Sequence, residues 1–166
     1  MRNPLAIAPS LANHRNTSID DTIKYMAKET AGFEEESKGI NREIFFDQHI
    51  GSLNNHVLEW TKLNSEQMIL VRFEDLLEDP NKVFKSILNE LNLDFKKSEI
   101  ATAVSKSSFN VLKAKEKISP FREKNPKSKE FFRKGHKSSW KTELTLIQKQ
   151  KLIDQHKSIM KKLSYL

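Results

Sequence analysis

The sequence predicts an α/β domain that is predominantly helical and holds one strand, at about residues 67–73, buried on both faces as in a parallel sheet. Three observations predict it. Residues 67–73 (Gln-Met-Ile-Leu-Val-Arg-Phe) form a near-continuous apolar run, which suits a strand covered on two sides. A short acidic turn, an Asp79-Pro80 pair and an amphipathic segment follow, and together these make half of a βαβ unit. Elsewhere the apolar residues recur at helical spacing. One strand does not make a sheet, so partner strands are expected outside this chain or in segments whose pattern hides them.

The elements follow in order. Asn3 and Pro4 read as the N-cap and first residue of a helix, with Arg2 just before its start and Ser10 about two turns along it. Pro9 removes an internal hydrogen bond and is expected to kink that helix. Residues 19–35 predict a second helix, ending in the acidic surface cluster Glu34, Glu35 and Glu36. Residues 41–62 predict a third, because Phe46, Ile50, Leu53, Val57 and Trp60 form one helical stripe. After the strand, Asp79 and Pro80 cap a helix whose core face is Val83, Phe84, Ile87, Leu88 and Leu91. Ser98 starts a short helix through Val104, and a helical turn follows Ser107, Ser108 and Phe109 to about Lys115. Thr145 caps a last helix, with Leu146, Ile153 and Met160 at heptad spacing and Leu152, Ile159 and Leu163 alongside.

Residues 117–139 are basic and polar, contain Pro120 and Pro126, and read as a long loop; loops of that length are usually functional or disordered. The chain carries a net charge of +7, and residues 113–141 hold 11 Lys and Arg against three Glu. That segment is +8 and the remainder −1. Such asymmetry points to an anionic ligand, or else to a solvated loop kept soluble by lysine. At its end, Arg133-Lys134-Gly135 can present a guanidinium fork, an ammonium and closely approaching backbone to one anion. Arg2 with Ser10, at a helix start, is a second anion-binding candidate. Phe73 and Phe109 are either core or aromatic faces for a base.

Absences bound the function too. There are no cysteines, which excludes disulfides and thiolate metal sites. No apolar run is long enough to span a membrane, and the first residues lack the apolar stretch of a signal peptide, so a cytoplasmic protein is expected. Gly32, Gly39, Gly51 and Gly135 are scattered and form no phosphate loop, and the five histidines show no metal spacing. From the residues alone, the chemistry reaches a phosphorylated ligand and stops short of a reaction.

Arg2-Asn3-Pro4…Ser10, Phe73-Glu74-Asp75-Leu76…Asp79-Pro80, Ser107-Ser108-Phe109 and Phe132-Arg133-Lys134-Gly135…Trp140-Lys141 stand in the order and approximate spacing of another set of motifs. In these the chain resembles the sulfotransferases that use 3′-phosphoadenosine 5′-phosphosulfate, from its first residue to about residue 155. The resemblance implies the C-terminal portion of a P-loop-type sulfotransferase fold, so that residues 1–166 form one partial domain with the basic loop inside it. It implies that Arg2 and Ser10 hold the nucleotide's 3′-phosphate and that Arg133, Lys134 and Gly135 form a second clamp on it. Phe73 stands where an aromatic lies beside the adenine, and Ser107 and Phe109 match a motif that lines the same site. No metal is implied.

In the family, the loop that cradles the 5′-phosphosulfate and the histidine that takes the acceptor's proton precede these motifs. Neither is present here. The resemblance therefore implies that this chain supplies the 3′-phosphate and adenine side of the site, with Ser10 in a supporting role. An N-terminal half of the same enzyme becomes a candidate partner, and the isolated chain is expected to be inactive. Two other readings are a non-catalytic remnant that binds adenosine 3′,5′-bisphosphate and, ranked lower, a nucleic-acid or anionic-lipid binder working through residues 113–141. The acceptor, a hydroxyl or an amine, is not identified.

Overall fold

The computed structural model describes residues 1–32, 50–63, 66, 68–119, 121, 124, 128 and 130–166. Glu34, Glu35, Glu36, Phe46, Gln67 and, within the 117–139 segment, residues 120, 122, 123, 125–127 and 129 lie outside the described residues. Among the described residues there are nine helices: α1 Pro4–Arg15, α2 Ile19–Ala27, α3 Leu53–Trp60, α4 Phe73–Glu78, α5 Pro80–Glu90, α6 Lys97–Lys106, α7 Phe109–Ile118, α8 Trp140–Glu143 and α9 Leu146–Lys162.

The expected strand at 67–73, and with it the α/β class, is overturned. Among the described residues no strand or sheet is formed. Residues 68–72 take no regular structure and Phe73 opens α4. Ile69 and Leu70 are 38% and 40% exposed, the opposite of burial on two faces. A strand is stabilised by its neighbours' hydrogen bonds and side chains. From elsewhere in the described chain, only Met1 bonds to this backbone. Its amino group donates to the Val71 carbonyl at 2.5 Å, and its carbonyl accepts from the Phe73 N–H at 2.7 Å. One residue is too little to make a ladder.

Local chemistry sets the helix starts. The Asn3 side chain accepts from the Leu5 N–H at 2.9 Å with Pro4 in the first turn. Asp79 does the same for α5 through the Lys82 N–H at 3.0 Å, ahead of Pro80. Thr145 and Gln148 form a reciprocal capping box on α9, satisfying two otherwise orphaned donors. The first helix runs on through Pro9, which is buried inside it. Two helices are shorter than their periodicity suggests. The second ends at Ala27, with Lys28 already extended. The third begins only at Leu53, because Gly51 has φ +71 and Ser52 then acts as N-cap. Trp60, which its spacing puts on the same apolar stripe as the buried Val57, is 51% exposed.

The core lies where α1, α2 and α3 meet α9. Leu5, Ala8, Ile23, Met26, Leu152 and Met160 are buried together with Leu144, which follows α8. Val57, Ile159 and Leu163 form a smaller adjoining cluster. The other helices, α4 to α7, pack in succession, each against the next. Among their described residues only Leu88 and Ile100 are buried hydrophobics. This second group forms an outer layer.

Candidate functional site

A cavity of about 1330 Å³ lies in the seam between the core and this outer layer. All eight residues singled out from the sequence line it: Arg2, Ser10, Phe73, Ser107, Phe109, Arg133, Lys134 and Gly135. They come from four separate stretches, and the start of the chain shares the space with residues 133–135.

Arg2 is placed by the start of α1 and the pairing of Met1 with residues 71–73. Its guanidinium sits over the Phe73 ring, 4.6 Å from the centroid. Its buried Nε has no hydrogen-bond partner. Burial lowers the Arg2 pKa, Glu74 offsets this in part, and the neighbouring Arg133 lowers it further. An arginine does not give up its proton in a protein. The Arg2 charge is thus only partly compensated at this wall. Glu74 does not meet it directly, since its Oε1 accepts from the Asn3 N–H at 3.0 Å and its Oε2 from the Tyr165 hydroxyl at 2.8 Å. Burial, and after it the hydrogen bond to Glu74, push the Tyr165 hydroxyl well above its usual range. Ser10 lies further along α1 on the cavity side, half-buried.

The second cationic stretch is held by α7 and α8. Both oxygens of Glu116 accept backbone N–H groups, from Phe131 at 2.6 Å and from Phe132 at 3.0 Å. Lys113 donates to the Arg133 carbonyl at 3.0 Å and pairs with Glu130 at 3.0 Å. On the α1 side, the Asn13 amide donates to the Ser128 hydroxyl and the Glu130 carbonyl. Arg133 Nη1 is paired with Glu143 Oε2, and Lys134 Nζ lies 3.3 Å from Glu143 Oε1. Burial opposes ionisation of Glu143, but the Arg133 hydrogen bond and the two cations outweigh it and hold the carboxyl below its usual range.

Gly135 has φ +60, and a Cβ there would stand closer than 3.0 Å to the Phe109 ring. The position needs glycine for its backbone angle and for contact with the ring. Phe109 also meets Phe132 edge-on at 6.3 Å. Ser107 is exposed, and its hydroxyl donates to the Ala103 carbonyl at 2.9 Å. Among the described residues no group of His, Cys, Asp and Glu could hold a metal ion, and no helix is long and apolar enough to cross a membrane.

Several residues that build this site were not singled out from the sequence. Glu74, Glu116 and Glu143 each hold a cation or a backbone segment at the cavity wall. Glu116 had a readable signal, since it is the one acid in a helix otherwise rich in lysine. Glu74 stood inside a quoted motif. Glu143 lies just beyond the basic segment and had none.

Fold and cavity together define a helical domain with a cavity that Arg2, Arg133 and Lys134 line. The profile of the sulfotransferase domain matches residues 1–164, and the chain belongs to the sulfotransferase family. Among solved structures, it is similar to mouse sulfotransferase SULT7A1 complexed with PAP, at a TM-score of 0.69 and 20% identity over 96% of this chain and 56% of the mouse chain. The chain thus spans little more than half the length of that relative. No curated protein sequence matches it.

Proposed function

We propose that this chain forms the 3′-phosphate and adenine side of a site for 3′-phosphoadenosine 5′-phosphosulfate, in an enzyme that transfers the sulfuryl group to a hydroxyl or amine acceptor. In that reaction the bond from sulfur to the donor's 5′-phosphate oxygen breaks and a bond from sulfur to the acceptor forms. Adenosine 3′,5′-bisphosphate leaves, and the acceptor's proton passes to a base. Positioning and charge stabilisation supply most of the catalysis in comparable phosphoryl transfers.

The observation that supports this reading is the convergence of Arg2, Arg133 and Lys134 on one cavity, with the Arg2 Nε buried and unpartnered. In the proposed arrangement these three cations and Ser10 take the 3′-phosphate, since arginine forks pair well with phosphate oxygens. Phe73, Phe109 and Ser107 flank the adenine, whose face stacks on aromatic rings. The phosphosulfate loop and the general base would come from a part of the enzyme beyond this sequence, so the chain alone binds nucleotide without transferring sulfate.

Calorimetry with adenosine 3′,5′-bisphosphate tests this on the wild type and on Arg133→Ala. We expect the variant to bind at least about 30-fold more weakly, the loss of a charge-assisted phosphate contact. Equal affinities would remove the clamp. Sulfate transfer from labelled donor by the purified chain alone would overturn the division of labour.

A further inference from the structure

We infer that Glu143 is a positioning residue of the nucleotide site: from behind the cavity wall, its carboxylate holds Arg133 and Lys134 in the geometry that receives the 3′-phosphate. The inference rests on the nucleotide reading of the cavity and adds a residue to it.

Three observations carry it. First, one carboxylate pairs with both cations of the clamp: Oε2 accepts a hydrogen bond from Arg133, and Oε1, which accepts no hydrogen bond, lies 3.3 Å from the Lys134 ammonium as an ion pair. Two adjacent long side chains would otherwise lose considerable rotamer freedom on meeting a ligand, and a shared anchor reduces what remains to be lost. Second, Glu143 is the more buried partner, 14% exposed at the side chain against 24% for Arg133 and 42% for Lys134. It is absent from the cavity lining, which both cations join. The carboxylate therefore does not occupy the anion's seat. Third, its place is fixed independently of the clamp. Leu144, the next residue, is buried in the core, and Trp140 at the other end of α8 packs on the same cluster. The anchor is thus tied to the stable half of the molecule, while the cations it holds extend into the seam.

The charge balance agrees. An arginine and a lysine side by side repel each other. One carboxylate between them reduces that repulsion and leaves a net positive wall, to which Arg2 adds. Arg133 retains the rest of its guanidinium donors and Lys134 the rest of its ammonium donors for a ligand.

The test compares adenosine 3′,5′-bisphosphate with adenosine 5′-monophosphate, which lacks the 3′-phosphate, by calorimetry on the wild type, Arg133→Ala, Glu143→Gln and Glu143→Ala, with melting curves for each. We expect Glu143→Gln to weaken bisphosphate binding about threefold and Glu143→Ala about tenfold, the latter near 1.4 kcal/mol. Monophosphate binding should stay unchanged. If Arg133→Ala loses the bisphosphate while both Glu143 variants bind it as tightly as the wild type, or more tightly, the positioning role is wrong and the carboxylate is a bystander or a competitor. Equal weakening toward both nucleotides, with a lowered melting temperature, would make Glu143 merely structural and also overturn the role. If the wild type does not bind the bisphosphate, or Arg133→Ala binds it unchanged, the nucleotide reading fails and this assignment fails with it.

Discussion

The two halves of this molecule are built on different terms. In α1, α2, α3 and α9, large side chains are fully enclosed: Ile23, Leu152, Ile159 and Met160 are at most 2% exposed. In α4 to α7 burial is confined to Leu88 and Ile100, while Leu91, Leu93, Phe95 and Ile118 face solvent. Hydrophobic burial at about 25 cal/mol per Å² favours the first group heavily. The outer layer depends instead on caps and on links such as Phe73 to Met1 and Lys137 to Glu78. The cavity lies between them. A site with one rigid wall and one lightly held wall is well suited to a ligand that must enter and leave, because parts that move are drawn from the less stable regions.

The largest expected effect tests that contrast directly. Leu152→Ala should cost about 3–4 kcal/mol, since it empties a fully enclosed site. Leu88→Ala in the outer layer should cost less than half as much. Chemical denaturation of both variants measures this, and equal losses would erase the distinction between core and layer.

Next in size is the seam. Gly135→Ala should destabilise by about 2 kcal/mol, through a left-handed backbone angle and collision with the Phe109 ring. Because Phe109 would have to move, nucleotide affinity should fall as well. A variant that melts and binds like the wild type would show that the ring and loop are not rigidly packed.

The core half also contains a pH-dependent element. His156 is fully buried where α9 departs from helical geometry, and its Nδ1 lies 2.9 Å from Asn54 Oδ1. The Asn54 amide donates to the Gln155 carbonyl, so the Asn54 oxygen accepts and His156 Nδ1 donates. The Nε2 is left buried without a partner. Burial lowers the His156 pKa from 6.5 to about 4. The unfolded chain takes up the proton first as pH falls, so this contribution to stability is present above about 6.5 and is lost progressively toward 4. Allowing for some solvent screening, the loss is on the order of 2 kcal/mol. His156→Gln should melt lower at pH 7.5 and lose less between pH 6.5 and 4.5 than the wild type. Parallel pH profiles would exclude His156 as their source.

The smallest effect belongs to the outer layer. Asp79→Ala removes the α5 cap and should cost about 1 kcal/mol. If the outer layer is as lightly held as its burial suggests, hydrogen exchange should rise across α4 and α5 and stay unchanged in α9. Faster exchange in both regions would mean that the two halves unfold together.

Much of the helical framework was legible from the residues, because capping is local. Asn3, Asp79 and Thr145 each act on a backbone N–H within three residues. Helix lengths were less legible. The stripe through Ile50, Leu53 and Val57 is continuous by spacing, yet α3 starts only at Leu53, after Gly51 with its positive φ and the N-cap Ser52. The apolar run at 68–72 misled for a different reason. Its composition suits a strand, but a strand exists only through neighbours, and among the described residues Met1 alone bonds alongside.

The site divides the same way. Sequence alone determined which groups could serve an anion: Arg2, Ser10, Arg133, Lys134 and a glycine at 135, since donors, charge and backbone freedom belong to residue types. Only the tertiary structure decided that Arg2 and Arg133, far apart in the chain, share a wall, and that Glu143 stands behind Arg133 and Lys134. Such contacts depend on how α1, α8 and α9 pack, and packing is a property of shapes in three dimensions that one-dimensional spacing does not carry.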